Sequence, residues 1–249
     1  MRPPLSETIF VRLRDGILGG RPAAGEPLAS ERVLAGELCC NRHAVREAVK
    51  RLQQAGLVAV SHGGATRVLD WRATGGLDLL AQLPFTAGEA PDPALLRSIL
   101  ELRLCVGVDA ARRCAERAPV AIVAALHAAL AAQRDAGPAQ APLLYAQLWN
   151  HVIDGADNIA YRLAYNSLLA GLDPDSDLSR ALFGAEAGDL DAAAALVTAV
   201  AARAPEDAAA VATDLLSRAL ATAETTTPAD RSSTAPRFAS AREQERARG

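Results

Sequence analysis

Aromatic residues make up only 4% of this 249-residue chain, and methionine occurs once. An interior short of large rings is built from Ala, Leu and Val, and such cores favour helix because Ala loses no side-chain entropy there. Four cysteines without a CxxC spacing exclude a disulfide scaffold and a cysteine-only zinc site. Reduced thiols fit a cytoplasmic chain. No apolar run approaches the ~18 residues of a membrane span, so no membrane partner is expected. The opening MRPPLSETIFVRLRDG lacks the apolar h-region of a secretory leader, and a cytoplasmic location is expected. There is no GxSxG, HExxH, P-loop or GxGxxG. The paired carboxylates fall on helix starts and polar faces. No enzyme is expected.

Half of the residues are apolar and 22% are charged, the balance of a globular chain with a sizeable core. The net charge of −3 alone argues against a nucleic-acid partner, but its distribution argues for one. Residues 1–70 hold 10 Lys and Arg against 7 Asp and Glu, whereas residues 71–221 hold 11 against 18. A small basic module joined to a larger acidic one places an anionic partner at one end.

Within that module the spacing predicts a helix over 6–18 capped by Ser6, with Ile9, Leu13 and Ile17 at i+4 and Gly19-Gly20 as the stop. A turn-rich stretch runs to Pro27. A short helix over 30–38 is capped by Ser30, and Cys39-Cys40-Asn41 is a tight connection to a third helix over 42–54. On that third helix Val45, Ala48, Val49 and Leu52 form one apolar stripe. Arg42, His43, Arg46, Lys50 and Gln53 fall on the opposite flank. Arg42, Arg46 and Lys50 repeat at i+4, where like charges repel by a few tenths of a kcal/mol per pair. A DNA duplex relieves that cost, and Arg also pairs with guanine edges in the major groove. After Gly56 the period becomes two: Val58 and Val60, then Thr66 and Val68, flank the turn His62-Gly63-Gly64-Ala65 as a hairpin. Three helices followed by a hairpin is the winged helix-turn-helix order, with His62, Gly63 and Arg67 on the wing.

Residues 71–76 are read as a linker. Only helical signals follow, over 77–83, 92–116, 119–135, 142–154, 157–171, 176–184, 189–203 and 206–222, with prolines near the breaks. The expected fold is therefore mainly α: a winged helix-turn-helix domain over 1–70, an antiparallel helical bundle over 77–222, and a Ser/Thr/Pro/Arg-rich disordered tail over 223–249.

Residues 9–69 resemble the GntR family of bacterial regulators. The resemblance is carried by Leu28-x-Ser30-Glu31-Arg32-x-Leu34-Ala35, by Arg42-x-x-Val45-Arg46-Glu47-Ala48 and by Leu52-x-x-x-Gly56-Leu57-Val58. It implies that Arg32, Arg42 and Arg46 contact operator DNA, with Asn41, His43, His62 and Gly63 at the interface. Two positions depart from the family pattern. Cys39-Cys40 stands where the family carries Gly and an aliphatic residue, and Asn41 replaces its Ser or Thr.

From about 71 to 172 the chain resembles the effector domain of the FadR branch, through Leu100-Glu101-Leu102-Arg103 and the stretch LWNHVIDGADNIAYRLAYNSLLAGL. That resemblance implies a homodimer, more often a repressor than an activator, that answers to a small molecule. Most of the branch holds a divalent metal through one Asp and three His. Here His151 matches the first His, Gln147 replaces the Asp four residues earlier, and no histidine follows. No metal or other cofactor is expected, since one imidazole does not hold zinc or nickel tightly. The Asp173, Asp175 and Asp177 cluster reads as a solvated helix start. An acyl-CoA, or another lipid-derived or organic acid, is the effector class implied by analogy. Arg103, Tyr145, Trp149, His151 and Tyr165 are the expected effector-binding residues. The alternatives are a regulator without a small-molecule ligand, and a redox-responsive one acting through Cys39 and Cys40.

Overall fold

A computed structural model describes residues 4–60, 65–77, 79, 93–137, 140–170 and 176–226. In chain order the elements are α1 (Leu5–Leu18), α2 (Glu31–Glu37), α3 (Arg42–Gln54), β1 (Val58–Ala59), β2 (Arg67–Val68), α4 (Trp71–Thr74), α5 (Pro93–Arg117) and α6 (Val120–Asp135). Then follow α7 (Ala141–Gly155), α8 (Ile159–Ala170), α9 (Asp177–Gly188), α10 (Leu190–Ala201) and α11 (Pro205–Thr226). Among the described residues the architecture is mainly α with one two-stranded hairpin.

The first core gathers Ile9, Phe10 and Ile17 of α1, Leu34 of α2, Val45, Val49 and Leu52 of α3, and Leu57, Val58 and Val68 of the hairpin. The α1 cap differs from expectation. Pro4 takes the N-cap position, its carbonyl accepting from Glu7 and Thr8, while Ser6 lies inside the first turn. Ser30 caps α2 by accepting from the Val33 N–H, as its sequence position predicts.

Strand residues alternate as expected: Val58 faces Val68 and both are buried, while Ala59 faces Arg67 and both are exposed. The paired segment is shorter than the sequence predicts, and Val60 stands outside it, exposed. The other edge of β2 is occupied by the turn-rich stretch. Gly25 N–H donates to Val68 O, Val68 N–H to Glu26 O, and Leu28 N–H to Thr66 O. Residues 71–76, read as a linker, hold the single-turn α4. Trp71 packs against the first core, Leu79 is buried in it, and the Thr74 hydroxyl donates to Gly56 O at 3.0 Å.

The second core is built from the long helix α5 against α6, α7, α10 and α11. Ala110, Ala111, Cys114 and Ala115 of α5 are buried beside Leu148, Trp149, Val152 and Ile153 of α7 and Leu196, Val197, Leu215 and Leu216. Small residues let these helices approach closely. A Cβ on Gly155 would lie 2.5 Å from Cys114 Sγ and 3.2 Å from the Ala118 Cβ. A smaller cluster joins Leu96 and Leu100 to Leu182 and Ala219. The helices follow the expected segments, with α9 running on to Gly188 and α11 to Thr226. The rest of the tail, the hairpin turn at 61–64 and most of the 77–83 segment lie outside the described residues, as do Asp173 and Asp175.

Candidate DNA interface and effector cavity

The third helix spans Arg42–Gln54, the span its apolar stripe predicts, and buries Ala44, Val45, Ala48, Val49 and Leu52. Asn41 starts it: its side-chain oxygen accepts from the Ala44 N–H at 2.8 Å, satisfying one of the unpaired N–H groups of the first turn. Burial of that stripe forces Arg42, His43, Arg46 and Lys50 into solvent, where all four are exposed, and Arg32 is exposed on α2. α1 braces the same helix from behind, through an ion pair from Arg51 to Glu7 and the Arg51 guanidinium stacked 4.1 Å from the Phe10 ring.

The cationic row differs from expectation in one respect: most of its charge is balanced within the protein. Arg46 donates through Nε and Nη2 to Glu31 of α2 at 3.2 Å, and Lys50 donates to Glu47 at 2.9 Å. Lys50 holds the Glu47 carboxyl below its usual range, through its hydrogen bond and its charge. Arg42, Arg32 and His43 have no such partner among the described residues. Arg67 gives one guanidinium nitrogen to Gly25 O at 2.9 Å, which ties the wing to the strand pairing beside it. His62 and Gly63 lie outside the described residues.

The Cys39-Cys40 turn has a physical signature. Cys40 N–H donates to Ala35 O and Cys39 N–H to Gly36 O, the paired bonds of a Schellman helix stop. Its left-handed residue is Cys39, at φ +49°, a position that favours glycine. The side chain of Cys39 is exposed and that of Cys40 half-buried. Cys114 is buried, and desolvation pushes its thiol up to about 12.

A second site lies among the later helices. A cavity of about 210 Å³ opens between α5 (Arg103), α7 (Pro142, Leu143, Tyr145, Ala146, Trp149), α8 (Tyr165, Leu169) and α9 (Ser179, Phe183). Four of the residues singled out in the sequence, Arg103, Tyr145, Trp149 and Tyr165, are brought together on its wall. His151 is not among them: it is half-buried on another flank of α7.

Glu186 is the residue that sequence reasoning missed. It has no exposed surface, and it receives Arg103 in a two-pronged pair, Nη1 at 3.1 Å and Nη2 at 2.6 Å. The Tyr145 hydroxyl donates to it at 2.7 Å and the Ala219 N–H of α11 at 3.2 Å. Burial is the largest influence and works against the Arg103 charge, but Glu186 and Tyr145 together outweigh it, so its pKa stands above the ordinary value. Burial raises the Tyr145 phenol well above its usual range and pushes Tyr165 up to about 12. Both are neutral donors at physiological pH. Arg103 also lies 4.8 Å from the centre of the Phe183 ring. The Trp149 indole N–H is buried and approaches Tyr145 without meeting hydrogen-bond geometry. No group of three or more His, Cys, Asp or Glu suited to a metal stands among the described residues. Among them no helix is long and apolar enough to cross a membrane.

Fold and surface together define a winged helix-turn-helix module followed by a helical bundle. Residues 5–68 match the family model for bacterial regulatory proteins of the gntR family. The HTH-type transcriptional regulator Mce2R of Mycobacterium tuberculosis is 40% identical over 177 residues, covering 70% of this chain and 72% of that protein. An uncharacterized HTH-type transcriptional regulator of Mycobacterium bovis matches to the same extent. The solved structure of Lar from Listeria monocytogenes is 14% identical and shares the fold, with a TM-score of 0.58 over 91% of this chain and 100% of its own. The chain belongs to the GntR family: it is an HTH-type transcriptional regulator that binds DNA, and not an enzyme.

Proposed function

We propose that this chain is a cytoplasmic, homodimeric repressor of the FadR branch, whose operator affinity is set by a small molecule held in the helical bundle. On this reading α3 enters the major groove of a palindromic half-site. Arg42, Arg46 and Lys50 meet phosphates and base edges, Asn41 and His43 flank them, Arg32 approaches the backbone from α2, and His62, Gly63 and Arg67 serve the wing. The single observation that carries it is the division of α3, with five residues buried and Arg42, His43, Arg46 and Lys50 exposed together.

The cavity supports the effector half of the reading. Its walls come from helices far apart in sequence, so a molecule bound there contacts four elements at once. Such a ligand lowers operator affinity only if it favours the free conformer over the DNA-bound one. The apolar part of an acyl-CoA or a comparable acid is the analogue-based occupant, with its polar end outside the cavity.

Footprinting on the DNA upstream of the regulator's own gene tests the first half. A protected palindrome that is lost in the Arg42→Ala/Arg46→Ala double variant, with helicity retained by circular dichroism, is expected. Protection that survives the double variant overturns the assignment of α3. Light scattering of the full chain decides the dimer.

A further inference from the structure

We propose that the cavity between α5, α7, α8 and α9 accepts an uncharged, mainly apolar molecule or moiety and discriminates against carboxylates. The inference rests on the reading of this cavity as the effector site, and it specifies which part of an effector enters.

Arg103 is the only ionisable cation among the described residues of the lining, and on position alone it would serve an anionic ligand. The structure shows that charge already matched. Glu186 takes both terminal nitrogens of Arg103, and its remaining acceptor capacity goes to Tyr145 and Ala219. Two carboxylate oxygens thus receive four donors, as many as a carboxylate accommodates. The wall is therefore electrically neutral. An entering carboxylate would lose its hydration and meet a cation whose charge is spent. Displacing Glu186 would strand a carboxylate with no exposed surface.

The remaining lining suits a neutral ligand. Trp149, Tyr165 and Phe183 supply ring surface, and Leu143 and Leu169 supply aliphatic surface. The Ser179 and Tyr145 side chains add polar groups to a wall that is otherwise mainly apolar. The volume of about 210 Å³ sets the size. An engineered apolar cavity of about 150 Å³ admits benzene, so this one holds a ring with a short substituent or a bent chain of similar bulk.

Matched pairs of probes test this on the full-length protein: benzyl alcohol against benzoate, and hexanol against hexanoate, titrated calorimetrically at neutral pH and constant ionic strength. The neutral member of each pair is expected to bind at least about tenfold more tightly. The Ala146→Phe variant, which fills the cavity, is expected to abolish that binding. Glu186→Gln leaves the Arg103 charge unmatched and is expected to reverse the order of each pair. The neutral double variant Arg103→Gln/Glu186→Gln is expected to keep the original order. A carboxylate that binds wild type as tightly as its neutral partner overturns the charge argument and leaves the effector site standing. Binding that persists in Ala146→Phe, or absence of binding by all four probes, overturns the site itself and the inference with it. Should Glu186→Gln fail to fold, the wild-type comparison alone decides.

Discussion

Among the arginine–glutamate pairs that bridge different helices, two sit in opposite surroundings. Arg46 and Glu31 join α3 to α2 at 3.2 Å, with 58% and 36% of their side chains exposed. Arg103 and Glu186 join α5 to α9 at 2.6 Å, with 16% and 0% exposed. Water screens the first pair, so it contributes little to stability and its partners separate readily. On the proposed reading, a phosphate or a guanine edge then takes the place of Glu31. In the second pair Glu186 is shut off from water, and both of its oxygens are taken by Arg103, Tyr145 and the Ala219 N–H. An exposed pair leaves its charge free to exchange with another partner; a buried one is a structural joint. The same two residue types therefore stand on an exposed surface in one module and frame a cavity in the other.

The sharpest way to break this comparison is to remove one member of each pair. Glu186→Ala leaves a buried guanidinium without its partner and is expected to cost about 3–5 kcal/mol, read by urea unfolding. A loss below 1 kcal/mol would place Glu186 among ordinary surface carboxylates. Arg46→Ala, by contrast, is expected to leave the urea midpoint nearly unchanged and to weaken operator binding about 10- to 100-fold, read by fluorescence anisotropy.

Smaller effects refine the picture of each module. Cys39→Gly is expected to stabilise the winged module by about 1 kcal/mol, because the left-handed conformation costs a side-chain-bearing residue and not glycine. Unchanged or lowered stability would mean that the Cys39 side chain compensates for its backbone. Two part-buried carboxylates of the helical bundle contribute acid sensitivity. Tyr161 and then Arg113 hold the Asp109 carboxyl below its ordinary 3.8, and the Ala192 N–H and Arg218 do the same for Asp189. A depressed folded pKa gives stability that is present above the unfolded value and lost as pH falls through the folded one. The thermal midpoint is expected to be level above about pH 5 and to fall below about pH 4. Asp189→Asn is expected to reduce that fall; an unchanged acid limb would remove Asp189 from the account.

Legibility in the sequence followed the range of the interactions. α3 was readable because its apolar stripe and its stop near Gly56 are local, whereas Asn41, read only as part of a tight connection, proves to be its cap. The strand pairing of Gly25–Leu28 with β2 was not, because residues about 40 apart meet there and the segment reads only as turns. The basic row was read as uncompensated, yet Glu31 lies on another helix and reaches Arg46 only after folding. The cavity was half legible. Arg103 stood out as a charge on an apolar segment, and the aromatic stretch of α7 and α8 supplied three wall residues. His151 shares that stretch, but lies on another flank of its helix. Glu186 carried one overlooked signal: Leu178, Leu182 and Glu186 repeat at i+4, which sets a carboxylate on the apolar stripe of α9.

The central claim is that the exposed cations of α3 are exchanged from protein carboxylates to DNA. Its most direct test is the dependence of operator affinity on potassium chloride, measured in parallel for wild type and Arg46→Ala. The expected result is a steep linear fall of log affinity with log salt in wild type, and a slope shallower by about one in the variant. Equal affinities and equal slopes for the two proteins would contradict it.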